Sequence, residues 1–323
     1  MPCPSRPAAI LAAVAASVLL VGGARAGDGV ASVRLPAAPG GDADAAPVAA
    51  PVAALGEGPV AAWFADWDRR AAAARARQPE WSSPVVTTTA LLEQRARFDT
   101  SFQQAGNRSD TISLDGGKGL DLIVSPTQEI QVAVDPYVIR TTASGKGQVT
   151  GFNDWPVVRF KQRLASSPRG AGDYVVSAWL QAQAPTGVAA LSSRAFTLLP
   201  TLGFGKGVGR FVAQGTVGAV VPTAHEGRLG TQLTANVALQ CQVLRVLWPQ
   251  IEVNWTRYLD GLRGGKNQVF LTPGLVIGRL PITRRLRFTF GVGYQAALAP
   301  RYRPSPLLPA YNHAWIITTR MSF

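Results

Sequence analysis

From Leu91 to the C-terminal Phe323 the chain repeats one device, a segment of about ten residues in which apolar and polar side chains alternate, closed by a turn-rich break. Successive side chains of a strand point to opposite faces. A period of two therefore gives each segment a greasy side and a wet side, which a helix does not satisfy. Twelve such segments stand at about 91–104, 118–125, 128–138, 155–165, 172–184, 195–205, 210–221, 229–242, 248–258, 267–279, 286–298 and 311–323. An even number of similar antiparallel strands can close on itself and leave no unpaired edge. The expected fold class is all-β: a closed antiparallel transmembrane β-barrel of about twelve strands, with a short N-terminal helix ahead of it.

The two faces decide between a soluble sandwich and a membrane barrel. Apolar residues such as Leu92, Phe98 and Phe102, or Ile251, Val253 and Trp255, fall on one side, and the opposite side is polar or glycine. In a sandwich the apolar face would need a second sheet; in a barrel it meets lipid. Breaks at about 105–117, 139–154, 185–194, 222–228, 259–266 and 299–310 are longer on the whole than those at 126–127, 166–171, 206–209, 243–247 and 280–285, with 222–228 the exception. That parity puts both ends of the barrel sequence on the periplasmic side.

The inward face supplies the candidate site. Glu93, Arg95, Arg97 and Asp99 form a mixed ladder on the first segment, and Arg159, Lys161 and Arg163 a basic one on the fourth. Glu252 and Arg320 point the same way. Such ladders either set ion selectivity in a water-filled lumen or fill a narrow lumen with ion pairs that stabilise the wall. Trp179 turns inward against the polar trend, placed to stack an aromatic solute or to pack on a lumenal plug. The last segment, YNHAWIITTRMSF, has aromatics near both ends of its greasy side and stops on an aromatic residue. With Trp315 and Phe323 it resembles the barrel-closing signal at the end of bacterial outer-membrane β-barrels.

The N-terminus reads as a signal peptide over residues 1–26: Arg6 ahead of an apolar run from Ala8 to Val21, then Ala24-Arg25-Ala26 as the cleavage site. Residues 27–59 are rich in Ala and Pro and read as a flexible segment. Residues 60–84 read as a periplasmic helix and linker, with Trp63, Phe64 and Trp67 on one face and Pro79 ending the helix, and residues 85–323 as the barrel. Loss of the leader removes Cys3 and leaves Cys241, so no intrachain disulfide is expected. The net charge is +13, with Arg6 and Arg25 in the leader. For an exported chain that charge points to an anionic surface such as lipopolysaccharide. No zinc-finger spacing or recognition-helix motif points to nucleic acid. The expected partners are outer-membrane lipid and lipopolysaccharide, the barrel assembly machinery and a small-molecule solute, without nucleic acid.

An enzyme is not expected. The two histidines are His225, in an outer loop, and His313, on the lipid-facing parity of the last segment, whereas a hydrolase needs a nucleophile beside a base. No cofactor and no metal site is expected, since no His/Cys/carboxylate cluster has ligand spacing. Gly203-x-Gly205-x-Gly207-x-Gly209 lacks the helix and the Lys-Ser/Thr pair of a phosphate loop and reads as a turn between strands.

The stretches Gly172–Gly187, Phe204–Thr223, Gly264–Leu280, Phe290–Pro300 and Pro309–Phe323, with Gln78–Asp99 as the approach to the first strand, resemble the outer-membrane protein family grouped as "MetA-pathway of phenol degradation". The resemblance implies a transporter-like barrel in the outer membrane that takes up small molecules such as aromatic compounds. It brings no catalytic residues. A closed structural or partner-binding barrel is the alternative.

Overall fold

The computed structural model describes residues 58–116, 118–141, 147–283, 286–301 and 307–323. The expected leader lies outside the described residues, as does all of the 27–59 segment except Gly58 and Pro59. Two compact units divide the chain, Met1–Asp66 and Trp67–Phe323. Within the first, helix α1 (Pro59–Ala76) begins, and the rings of Trp63 and Phe64 meet edge to face at 4.9 Å. Its Ala- and Arg-rich composition suits a helix. The end of α1 belongs to the second unit, where Ala71 and Ala74 pack with Leu92 and Ile123, and the Trp67 indole donates to the Ile123 carbonyl at 2.8 Å.

The second unit is the barrel. Its strands are β1 (Arg95–Gln104), β2 (Asp110–Leu114), β3 (Gly119–Ser125), β4 (Gln128–Ala133), β5 (Tyr137–Thr141), β6 (Gln148–Phe152), β7 (Trp155–Ser167), β8 (Tyr174–Ala184), β9 (Thr197–Val208), β10 (Phe211–Pro222), β11 (Gln232–Cys241), β12 (Leu247–Tyr258), β13 (Asn267–Pro281), β14 (Arg287–Ala299) and β15 (His313–Ser322). Three pairs are single wall strands with a break. β1 pairs with β3 at its start and with β2 at its end, β3 pairs with β4 while β2 pairs with β5, and β5 and β4 pair in turn with β6 and β7. Fifteen ladder segments thus make a closed wall of twelve antiparallel strands. Closure comes from β1 and β15, in register from Arg95↔Ser322 to Gln104↔His313.

Three sequence expectations shift. The first strand starts at Arg95, and Leu92, expected to face outward, is buried against Ala71 and Ala74. Much of the expected loops 105–117 and 139–154 is strand, as β2, β5 and β6. These segments hold only five residues each, too few for alternation to show in sequence; pairing with one another forms them, and the Tyr137 and Phe152 rings meet across β5 and β6 at 5.3 Å. The glycine repeat is mostly strand: only Gly209, at φ 61°, sits in the turn to β10. Gly203 and Gly205 are inward positions where a Cβ would run into Trp179 and Trp81.

The surface is inside out relative to a soluble protein. Leu120, Phe160, Leu180, Leu202, Val237 and Ile251 are exposed on the outer wall, while Glu129, Lys161, Gln214 and Glu252 are buried within. A closed sheet with an apolar exterior and a polar interior is the arrangement that satisfies every backbone group in lipid, and it makes this a membrane-spanning barrel. Among the described residues no helix is long and apolar enough to cross a membrane.

Candidate functional site: the lumen and the loop inside it

The lumen is not left to water. Between α1 and β1 the chain turns back into the barrel as a loop, Gln78 to Gln94, and most of its side chains are buried. Residues 78–84, expected to lie in a periplasmic linker, are part of it. The loop is tied at its neck: the Gln78 amide donates to the Leu92 carbonyl at 2.7 Å and accepts from the Leu92 amide at 3.0 Å. Trp81, Val85, Ala90 and Leu91 form an apolar centre with Val175, Val212, Trp248 and Val276. A loop buried away from water must find partners for its own peptide groups, and the inward side chains provide them.

On one side the wall is charged. Lys161 of β7 lies 2.8 Å from Glu129 of β4 and donates to the Leu91 carbonyl at 2.9 Å. Arg159 reaches Asp121 of β3 at 3.3 Å, and Arg95 bonds Asp121 at 2.9 Å and pairs with Glu93. Three carboxylates and three cations thus form one buried cluster. Arg97 and Asp99 pair at 2.8 Å, and Arg97 also donates to the Val85 carbonyl at 2.6 Å. Arg163 donates to the carbonyls of Ala74 and Pro126 and to Gln78, and Arg320 to the carbonyls of Ser83 and Pro84.

On the other side the wall is amide-rich and ends on the Glu252 carboxylate. Gln214 of β10 donates to Gln240 of β11 at 2.7 Å, Gln240 to Gln250 of β12 at 2.8 Å, and Gln250 to Glu252 at 2.7 Å. Gln214 also donates to the Ser82 carbonyl and accepts from the Thr89 hydroxyl. Glu252 receives the loop tip: its two oxygens accept the consecutive amides of Val86 and Thr87 at 2.9 and 2.6 Å. Further along the barrel a second polar girdle runs through Thr216, Asn236, Asn254, Gln295 and Thr272.

Trp179 lies against this filling. Its ring sits beneath Lys161 Nζ, 5.7 Å from the centroid, and in the space left by Gly203 beside Ala90. Lys161 and Arg163, two rungs of the supposed ladder, bond to the loop and the helix end that precedes it, and Arg159 turns to the carboxylates. No free basic track is seen along these three. Trp315 stands on the outer face beside Tyr294 at 5.0 Å. The Phe323 amide donates to the Gln94 carbonyl at 3.2 Å, and Arg75 donates to the Phe323 carbonyl at 3.2 Å. Asp121, Glu129, Gln214 and Gln240 read as inward-facing in the sequence but are not singled out there as site residues, and Gln78 and Gln250 are passed over. Inward parity marks the strand residues among them; nothing in the sequence marks Gln78.

No family model matches the chain, and no curated protein matches it. Solved structures similar to it include an outer membrane channel from Pseudomonas putida F1, 11% identical, covering 75% of this chain and 98% of that one at a TM-score of 0.44. The NanC porin is 8% identical over 70% and 98% at 0.42. The outer membrane phospholipase A of Escherichia coli is 12% identical over 79% and 98% at 0.36. At these identities and scores the likeness carries no activity across. It does correct one expectation: an enzyme stands among the similar barrels, so the exclusion of enzymes drawn from the placement of His225 and His313 does not stand. His313 itself is on the outer face, its ring stacked on Tyr294 at 5.8 Å.

Proposed function

We propose that this protein is an outer-membrane channel for small solutes, gated by its own N-terminal loop. The observation that carries this reading is how residues 78–94 are held. Polar side chains of at least seven wall strands grip the loop's peptide groups: Arg97, Glu129, Lys161, Ser177, Gln214, Glu252 and Arg320. Water can replace each of those bonds, so a loop that leaves uncovers a bore lined mainly by polar groups, with Val175, Val212, Trp248 and Val276 as an apolar patch in it. With the loop withdrawn, Arg159, Lys161 and Arg163 would line that bore and bias its selectivity, beside the carboxylates at 121 and 129. The solute class is small molecules, aromatic ones among them; the resemblance of the C-terminal stretches to the phenol-degradation family and the inward ring of Trp179 beside Lys161 support it. Trp315 and Phe323 serve recognition by the barrel assembly machinery, and the exposed outer wall meets lipid and lipopolysaccharide.

The test is conductance in planar bilayers. The full chain should give rare or small openings, and a chain with residues 79–91 replaced by a short Gly-Ser linker should conduct steadily. A loop-replaced barrel that folds and stays silent would refute gating. The second reading, a closed structural barrel, is favoured by the near-complete burial of Trp81 to Leu92; it predicts that loop replacement changes stability and nothing else.

A further inference from the structure

The short-turn end of the barrel carries a feature that the loop and the wall use only in part. A cavity of about 620 Å³ opens there, and five guanidinium groups line it, those of Arg169, Arg210, Arg245, Arg279 and Arg287. Among the described residues that line it the one carboxylate is Glu80, exposed and 3.9 Å from Arg279, with Asp173 in the adjoining hollow beside Arg169 and Arg210. Trp248, almost fully buried, forms its floor. The five arginines stand at separate turns and strand ends, Arg169 before β8, Arg210 before β10, Arg245 before β12, Arg279 near the end of β13 and Arg287 at the start of β14, which antiparallel closure brings to one rim.

The charge is not spent internally. Arg169 is fixed by bonds to Gln242 at 3.1 Å and the Gly209 carbonyl at 2.8 Å, and Arg279 by one to the Trp81 carbonyl at 3.1 Å. Arg210, Arg245 and Arg287 have no side-chain hydrogen bond or ion pair among the described residues. Like charges gathered around one concavity repel, so this arrangement does not stabilise itself. Guanidinium groups bind the oxygens of carboxylate and phosphate in pairs, and a concavity of this size suits a small ligand. We propose that this vestibule binds a multivalent oxyanion, a compact molecule bearing two or more phosphate or carboxylate groups. Its oxygens bridge Arg210, Arg245 and Arg287, while Arg169 and Arg279 are already oriented by the wall. Glu80 competes with such an anion for Arg279, and Glu80 opens the loop that fills the lumen, so occupancy of the vestibule loosens the loop at its outer edge. Binding itself does not depend on whether the lumen conducts.

Tryptophan fluorescence and calorimetry on the full chain in neutral detergent, with pyrophosphate and citrate as probes at fixed ionic strength, test this. Saturable binding of one anion per chain, with sodium chloride giving none, is expected. The double variant Arg210→Gln, Arg245→Gln should weaken it by roughly tenfold or more; these are exposed turn residues, and Arg287→Gln alone is the second variant should the double one not fold. Repeating the titration in nanodiscs separates two sources of phosphate. Binding kept in phosphatidylglycerol identifies a soluble anion, and binding lost there but kept in phosphatidylcholine assigns the same site to a lipid headgroup. No saturable binding, or equal affinity in the variants, would overturn the proposal.

Discussion

The two walls that hold the inserted loop do so by different chemistry. Around β1, β3, β4 and β7 the loop, with its own Glu93, joins a cluster of wall charges, Arg95, Asp121, Glu129, Arg159 and Lys161, each needing an opposite charge inside the barrel. Around β10, β11 and β12 it meets a chain of amides from Gln214 to Gln250 that ends on Glu252. A buried charge without its partner is expensive, whereas an amide without its partner loses about one hydrogen bond. The charged wall is therefore all-or-none in stability, and the amide wall is graded. A loop that has to leave and return sheds its bonds to Gln214 at small cost, but has to exchange those to Glu252, Arg97, Lys161 and Arg320 for water as it goes.

The largest effect should come from breaking the charged wall. Glu129→Ala leaves Lys161 buried and unpaired and should cost about 3–5 kcal/mol. Denaturant midpoints in micelles measure it. Adding Lys161→Met to make the double variant should recover much of that loss, and a double variant as unstable as the single would show that the pair is not the source. Next, Gly203→Val drives a side chain into Trp179 and should cost about 1–3 kcal/mol. If stability is unchanged, the ring is not packed as described. Gln240→Leu removes the centre of the amide chain and leaves Gln214 and Gln250 short of a partner; a loss of about 1–2 kcal/mol is expected. A loss equal to that of Glu129→Ala would erase the distinction between the walls.

The smallest effect lies outside both walls. Asp154, between β6 and β7, accepts bonds from Ser193 and from the Gly187 amide. Burial pushes its carboxyl up, but the hydrogen bonds outweigh burial and hold it below the usual carboxylate range. A depressed folded value means that the stabilisation is complete above the ordinary Asp pKa of about 3.9 and is lost as pH falls through the folded value. Exchange of the 187–195 amides should therefore quicken only in acid, below about pH 4. The same quickening at neutral pH in Asp154→Asn would trace the effect to this carboxylate.

Legibility followed the range of the interactions. Twelve wall strands, the outward faces of Phe160, Leu180 and Ile251 and the inward faces of Arg159, Lys161 and Glu252 follow from side-chain parity, a local property of an extended chain. β2, β5 and β6 were hidden in expected loops because five residues hold too few alternations, and neighbour pairing makes them strands. Gly203 and Gly205 looked like a turn because sequence does not show what a missing Cβ makes room for. The basic ladder was legible as a set of residues but not as an environment: whether Lys161 faces water or Glu129 and the Leu91 carbonyl depends on two chain segments far from it in sequence.

By itself the sequence determined that this protein is a barrel with a polar inside and an apolar outside, since a period of two is written residue by residue and lipid enforces it. Only the tertiary structure decided what occupies that inside and where the unpaired charge lies. Gln78–Ala90 shows no alternation, and the loop enters the lumen because Val175, Val212, Trp248 and Val276 pack its apolar residues while Glu252, Arg320, Lys161 and Gln214 converge on its peptide groups from strands that closure brings together. The five arginines of the rim stand in turns and at strand ends far apart in sequence, and they become one site because the wall closes.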